Sequence, residues 1–532
     1  MGTYLNPGNN SFKRIIRSDY VDKTGLISLI NERVDTEDSL ICVSRQRRFG
    51  KSYAARMLCA YYDCTCDSHE LFDKYTIAKS ESYEEHINKY NVIYLDVASF
   101  LSELKRQNHS IKDVANYIAQ TIRTEVVTDR PELANITRVS ECLRKYVELT
   151  GRKFIFIIDE WDVVIREAKN DNTTQTAYLS LLREWFKNGN FTVDVVAAAY
   201  MTGILPIKKD DSQSAISDFK EYPILNPRMF AEYTGFTDAE VRSLCEQKGM
   251  DYSEAKRWYD GYSFNNGQSI YNPFSVMMSI KNGEFGSYWK QTSAAENLIT
   301  YINFELNNTN SDLQTKILKL IAGEYLEVDV SEFKNDFYSF DSDDEVLTLL
   351  IHLGYLAYDN TTKRARIPNE EVRLEFNKLL KNKKHTKFTN LIINSEKLLA
   401  DTLAGDGEAV AEAIRKIRET YYAPTHYNKE QSLRYAIKFA YIVCIDSYMK
   451  VEELPSGKGY ADVVYIPKSS TALPALVIEL KWEETAEAVI DQIKSKRYHS
   501  VLEDYFGEIV LVCINYNSKT SEHTYTIEKI TK

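Results

Sequence analysis

The chain has no apolar run approaching the roughly eighteen residues a membrane-spanning helix needs, so none is expected and no membrane partner is read. No signal peptide is visible at its start. Met1-Gly2 is followed at position 6 by Asn6 rather than Ser or Thr, which argues against myristoylation. The 8 cysteines lack zinc spacing, since Cys64 and Cys66 stand too close together and no matching Cys/His pair follows. Scattered thiols of this kind point to a reducing cytoplasm. There is no internal repeat or low-complexity tract, which excludes solenoids and arrays. Nor is there an excess of positive charge. The net charge is −11, so a nucleic-acid role would need a local basic groove rather than a basic molecule. Lys494, Lys496 and Arg497 form one such patch, although each taken singly reads as the solvated face of a helix.

What is present is an ordinary globular composition, 44% hydrophobic and 27% charged. At 532 residues the chain exceeds a single core and points to about three or four domains.

The chemistry is densest near the C-terminal end. Gly459-Tyr460-Ala461-Asp462 opens a strand expected over Asp462 to Ile466, and a second strand, Leu476 to Lys481, ends in Glu479-Leu480-Lys481. If the two pair as a hairpin, the start of the first lies beside the end of the second. Side chains alternate along a strand, so Glu479 and Lys481 share a face. Two carboxylates and a lysine at one sheet end can hold a divalent metal and activate a water, as phosphodiester hydrolysis requires. Glu430, on a helix expected over Asn428 to Tyr441, could supply a third carboxylate. A helix over Ala486 to Tyr498 carries Gln492. An exposed Glu/Lys pair on a strand is ordinary by itself; the ordered set is what gives it weight. The order Glu430, Asp462, Glu479-x-Lys481, Gln492 resembles the PD-(D/E)XK nuclease superfamily. The resemblance implies catalysis by Asp462, Glu479, Lys481 and Gln492, with Mg²⁺ or Mn²⁺ held by Glu430, Asp462 and Glu479. Ala461 stands where that superfamily usually has proline.

A second constellation lies near the other end. The apolar run Leu40-Ile41-Cys42-Val43 reads as a buried strand. It is followed by Ser44 to Ser52, including Gly50-Lys51-Ser52, and then by a helical pattern over Tyr53 to Tyr62. Strand, loop, G-K-S and helix is the layout of a P-loop (Walker A), whose backbone N–H groups cradle phosphates. Lys51 would reach the β/γ-phosphates of ATP and Ser52 would ligate Mg²⁺. The strict pattern has glycine where this chain has Arg45. A further apolar strand, Lys153 to Ile158, ends in Asp159-Glu160, as in Walker B: Asp159 would hold Mg²⁺ and Glu160 would polarise the attacking water. Standing alone, that pair would read equally as a strand-end turn or helix cap. A third strand, Val193 to Met201, precedes Thr202-Gly203; Thr202 could sense the γ-phosphate or be a turn residue. Arg47 and Arg48 could contact phosphate, act between subunits of a homo-oligomer, or be solvated charge.

Along the chain, residues 1–230 read as an α/β ATPase core with a mostly parallel sheet. Residues 231–284 read as a helical lid, in which Thr237 caps a helix with an acid, Glu240, three residues on. Residues 285–385 hold helices and then a hairpin of Gly354 to Tyr358 with Arg364 to Pro368, either a winged helix or a plain helical linker. Residues 386–532 read as a restriction-endonuclease-like α/β domain.

Tyr20-Val21-Asp22-Lys23-Thr24, Arg47-Arg48-Phe49-Gly50-Lys51-Ser52 and Ile158-Asp159-Glu160-Trp161-Asp162 resemble the AAA-ATPase-like proteins found widely in bacteria. So do Gly235-Phe236-Thr237, Trp258-Tyr259-Asp260-Gly261-Tyr262 and Tyr271-Asn272-Pro273-Phe274-Ser275. In that family a P-loop ATPase is commonly fused to a C-terminal PD-(D/E)XK domain. Gln46 stands where proline is usual, which leaves the loop less pre-set in φ, and Trp161 where tyrosine is usual. The resemblance implies an ATP-controlled, metal-dependent nuclease acting on DNA or, second, RNA. Two alternatives stand beside it: an ATP-switched interaction module with a silent nuclease-like domain, and a plain nuclease whose ATPase is degenerate at Arg45.

Overall fold

In the computed structural model, five strands of the first half, β1 (Leu40–Ser44), β2 (Asn91–Asp96), β3 (Phe154–Asp159), β4 (Val196–Gly203) and β5 (Lys220–Tyr222), pair parallel throughout in the order β2-β3-β4-β1-β5. The structure describes residues 2–168, 171–187, 189–207, 216, 218–263, 268–289, 312–331, 333, 340–380, 386–421, 436–456, 459–468, 473–482, 505, 507–517, 520 and 522–531. Parallel strands are covered on both faces and therefore read as continuous apolar runs. β1, β3 and β4 are buried at every position. Alternation along β3 feeds two cores. Phe154, Phe156 and Ile158 pack with Phe100, Ile122 and Trp185, while Ile155 and Ile157 pack with Phe12, Ile41 and Leu58. Helix α1 (Lys51–Tyr62) follows β1, and the short helix α2 (Val163–Glu167) follows β3. The first half is thus an α/β fold around a parallel five-stranded sheet.

The strand expected from Val193 begins only at Val196. Gly189–Val195 is helical, burying Phe191 and Val195 at i, i+4 spacing and leaving Val193 exposed. β4 also runs on through Thr202 and Gly203, so Thr202 is a strand residue rather than a turn residue.

Residues 231–284 are not purely helical. Strands β6 (Phe236–Thr237), β7 (Tyr262–Ser263) and β8 (Ser269–Tyr271) form a small antiparallel sheet, order β6-β8-β7, among helices α3 (Asp238–Lys248), α4 (Tyr252–Tyr259) and α5 (Pro273–Asn282). These strands are too short to register as alternation in a sequence. The expected cap of α3 is present as a full capping box between Thr237 and Glu240. Helix α6 (Asp343–Leu353) ends at Gly354, and an antiparallel hairpin follows, β9 (Ala357–Asp359) with β10 (Arg364–Arg366).

The chain divides into two units, Met1–Ser311 with Glu327–Glu371, and Asp312–Leu326 with Val372–Lys532. The second contains helices α7 (Thr386–Ala404) and α8 (Gly407–Tyr421) and a five-stranded mixed sheet. Its strands are β11 (Tyr448–Ser456), β12 (Gly459–Pro467), β13 (Ala475–Trp482), β14 (Glu508–Asn517) and β15 (Glu522–Thr531), hydrogen-bonded in that order. β13 and β14 are parallel and the other neighbours antiparallel. Among the described residues no helix is long and apolar enough to cross a membrane.

Candidate nucleotide site

The loop between β1 and α1 closes on itself through its lysine. The Lys51 ammonium donates to the carbonyls of Arg45 at 2.9 Å and Gln46 at 2.7 Å. Lys51 is buried, and loss of solvation pushes its pKa down to about 8, against the pull of Asp159, Glu160 and Asp162. A depressed lysine beside carboxylates is a group that gains from an arriving anion. Gly50 caps α1 at φ 85, a left-handed backbone that favours glycine, and a Cβ there would meet nothing within 4 Å. Ser52 is exposed in the first turn of α1, where a helix N-terminus favours phosphate.

Arg45 does not occupy the loop as a surface charge. Its guanidinium is fully buried and donates to the carbonyls of Ser44 at 2.7 Å, Tyr222 at 2.6 Å and Phe230 at 3.5 Å. Its backbone N–H donates to the Gly203 carbonyl at 3.0 Å. Burial draws its pKa down to about 10. Arg45 has no positive φ, so nothing in the backbone requires glycine at that position.

The parallel register places the Asp159 end of β3 beside the Thr202 end of β4. The Thr202 hydroxyl donates to Asp159 Oδ1 at 2.5 Å, both side chains buried. Glu160 follows at φ 53 with its side chain half-exposed. Asp162, which the sequence did not single out as a site residue, is buried and accepts the backbone N–H groups of Ile204 at 3.1 Å and Leu205 at 3.2 Å. At Gly203, the last residue of β4, there is room only for glycine, because a Cβ would lie 2.6 Å from the Trp161 indole nitrogen and 3.0 Å from Asp162 Oδ1. The oxygens of Ser52 and Asp159 are hard donors of the kind Mg²⁺ takes alongside phosphate and water, so the residues present fit that ion.

Residues 7–212 match the family described as Predicted AAA-ATPase. The match covers the loop, α1, Asp159-Glu160 and Thr202 of this ATPase-like segment and ends before residues 231–284. A curated relative, the uncharacterized protein in the vnfD 5′ region of Azotobacter chroococcum mcd 1, is 22% identical over 397 residues, 70% of this chain and 69% of its own. Among solved structures, the Aeropyrum pernix ORC2 protein in ADPNP-ADP complexes is 10% identical with a TM-score of 0.27, covering 67% of this chain and 93% of that one. Cdc6p from Pyrobaculum aerophilum is 10% identical with a TM-score of 0.22, over 68% and 93%.

The loop of the ATPase-like segment is held from outside by the motifs that follow it. The Phe49 carbonyl accepts the N–H of Gly235 at 3.1 Å, and the Arg48 guanidinium lies 4.3 Å from the centre of the Phe274 ring. Gly235 has φ 100, and a Cβ there would come within 2.3 Å of Ile270. Asn272 caps α5 by accepting from Phe274 N at 3.0 Å and Ser275 N at 3.5 Å, with Pro273 in the first turn. The Phe49 ring meets Tyr262 edge-on at 5.4 Å, and the Tyr262 hydroxyl donates to the Gly354 carbonyl at 2.6 Å. Gln46, fully buried, packs so closely on Gly354 that a Cβ there would sit 2.5 Å from Gln46 Cγ. At Gly261, φ 120, a Cβ would lie 2.0 Å from the Pro368 carbonyl oxygen. Upstream, Lys23 reaches Glu240 at 2.7 Å and the Glu232 carbonyl at 2.6 Å. Asp22 accepts from Thr24 and Thr76.

In the second unit, Glu479 is buried on β13 opposite Cys513 of β14, and Lys481 stands opposite Asn515. β12 and β13 pair antiparallel as expected, with Val463 opposite Ile478. Asp462 precedes the one and Glu479 follows the other, which carries the two acidic positions to the same level of the sheet. Asp462 lies within its strand rather than opening it, because β12 starts at Gly459. Glu430 and Gln492 lie outside the described residues. Among the described residues no group of three or more His, Cys, Asp or Glu is placed to hold a metal.

Proposed function

We propose that this protein binds ATP with Mg²⁺ on the loop Gly50-Lys51-Ser52 and hydrolyses it, with Asp159 and Ser52 on the metal side and Glu160 polarising the attacking water. Thr202 orients Asp159. The observation that carries the reading is the buried lysine, depressed to about 8, at the start of α1 and among the charges of Asp159 and Glu160. Mg²⁺ would neutralise developing charge on the phosphates; Lys51 binds them, and the loop amides orient them. Residues 1–230 would form the ATPase core, 231–284 its lid and 285–385 a middle region, which we read as winged-helix-like. Titration of ATP into the full chain tests the site: Lys51→Ala loses measurable binding. Equal affinity in variant and parent would rule this loop out.

For residues 386–532 the pairing of β12 with β13, carrying Asp462 and Glu479 to one level with Lys481 beyond, favours a second reading. It is metal-dependent cleavage of nucleic acid, DNA before RNA, under nucleotide control. Two carboxylates can hold Mg²⁺ or Mn²⁺, and Lys481 would steady the charge of the reacting phosphate. Glu430 and Gln492 complete the set by sequence order. Metal-dependent cleavage of plasmid and single-stranded DNA, with and without ATP, decides between this and a silent module.

A further inference from the structure

Arg166 sits near the end of α2, and its side chain is only 11% exposed. Its Nη2 lies 3.4 Å from Glu160 Oε2, and its Nε lies 3.3 Å from Asp162 Oδ2. Asp162 is itself fixed, because the same oxygen accepts the backbone N–H groups of Ile204 and Leu205 just beyond β4. A line of charged contacts therefore runs from the exit of β4 through Asp162 and Arg166 to the Glu160 carboxylate. Glu160 needs such a support. Its side chain is 40% exposed, while its backbone holds a left-handed φ of 53. A non-glycine residue there is strained and persists only where the surroundings over-determine it. The planar fork of arginine can span two carboxylates at once, which a lysine ammonium cannot do with the same directionality.

We propose that Arg166 is a positioning residue for hydrolysis: its ion pair fixes the Glu160 carboxylate in the orientation from which it polarises the attacking water. The proposal rests on the reading that this site hydrolyses ATP. It touches neither nucleotide nor metal in this role and acts only through Glu160.

The test is a double-mutant cycle on the full chain, with parent, Arg166→Ala, Glu160→Gln and the double variant. Phosphate release gives kcat and KM, titration gives ATP affinity, and a thermal melt checks folding. Arg166→Ala lowers kcat by about tenfold or more, the scale of a displaced catalytic group, with ATP affinity within about twofold of the parent. In the Glu160→Gln background the same change costs nothing further. Arg166→Lys, keeping charge without the fork, falls between, and it carries the cycle if Arg166→Ala melts below the assay temperature. The same fold-loss in both backgrounds overturns the proposal, as does a rise in kcat or a loss in KM alone. A parent that binds ATP yet releases no phosphate overturns the hydrolysis reading and this proposal with it. The additive pattern in an active parent overturns the proposal alone.

Discussion

The Thr202 hydroxyl is hydrogen-bonded to the Asp159 carboxylate at 2.5 Å, joining the ends of two neighbouring parallel strands inside the candidate site. A metal-ligating carboxylate is set by the groups that orient it, and losing one such partner typically costs about 10–100-fold in metal affinity or activity. Thr202→Val keeps the shape and removes the donor. Phosphate release should fall within that range while the protein still melts cooperatively. Unchanged turnover at limiting Mg²⁺ would show that Thr202 only packs.

Lys51 should make nucleotide binding pH-dependent. Burial depresses its pKa to about 8, and phosphate oxygens beside the ammonium favour the charged form. Well above pH 8 the free protein should have lost most of this proton, and an ATP complex should regain it. Binding near pH 9 should therefore take up close to one proton, and affinity should weaken as pH rises from 8 to 10. Titration in buffers of different ionisation enthalpy measures the uptake; none at pH 9 would contradict it. The stability sign follows from the same shift. Between about 8 and the ordinary lysine value, the unfolded chain holds more protons than the folded one, so stability rises with pH there. The buried charge costs on the order of 3 kcal/mol at neutral pH, and Lys51→Met should lack the rise.

Arg45→Gly restores the residue usual in such loops, yet it should harm the protein. The guanidinium serves the carbonyls of Ser44, Tyr222 and Phe230. Leaving such buried acceptors unpaired costs about 1–3 kcal/mol each. Chemical denaturation should show a clear loss of stability, with no gain in ATP affinity. A variant as stable as the parent with tighter binding would mean that Arg45 is a degenerate loop residue after all.

In the second unit, Asp462→Ala and Lys481→Ala should each remove metal-dependent DNA cleavage and leave phosphate release intact. Lys51→Ala should leave cleavage that no longer responds to ATP. One gel assay and one phosphate-release assay on these variants suffice. Cleavage that survives Asp462→Ala would remove this sheet from consideration.

The strand, loop and helix around Gly50-Lys51-Ser52 were legible in the sequence because their signal is local: an apolar run, G-K-S and a helical pattern in unbroken succession. Asp159-Glu160 was legible for the same reason. Arg45 looked like a departure from pattern because its partners, Tyr222 and Phe230, are distant in sequence and only the fold brings them together. Arg166 gave no signal beyond lying six residues after Glu160, behind the apolar run Val163-Val164-Ile165. Val193 to Val195, the last turn of the helix Gly189–Val195, was misread as the start of a strand because Val193 and Val195 favour strands, a weak preference that burial of Phe191 and Val195 overrides. The two strands β12 and β13 were legible as apolar runs and their pairing was posed as a condition, but the parallel neighbour β14 left no mark. Parallel pairing is made across a long connection and leaves no short-range mark. The glycine-bearing motifs Gly235-Phe236-Thr237 and Trp258-Tyr259-Asp260-Gly261-Tyr262 were visible as motifs. Their purpose, close approach of Ile270 to Gly235 and of Pro368 to Gly261, needed coordinates.

The most direct measurement is single-turnover release of phosphate from ATP by the full chain and by Glu160→Gln, at ATP concentrations that saturate both. Asp159, Ser52 and Lys51 remain in the variant, so ATP should bind as in the parent. Loss of the carboxylate that polarises water should slow release by roughly two orders of magnitude, the usual scale for a missing general base. Equal release rates in the two proteins, with ATP bound in both, would contradict the account.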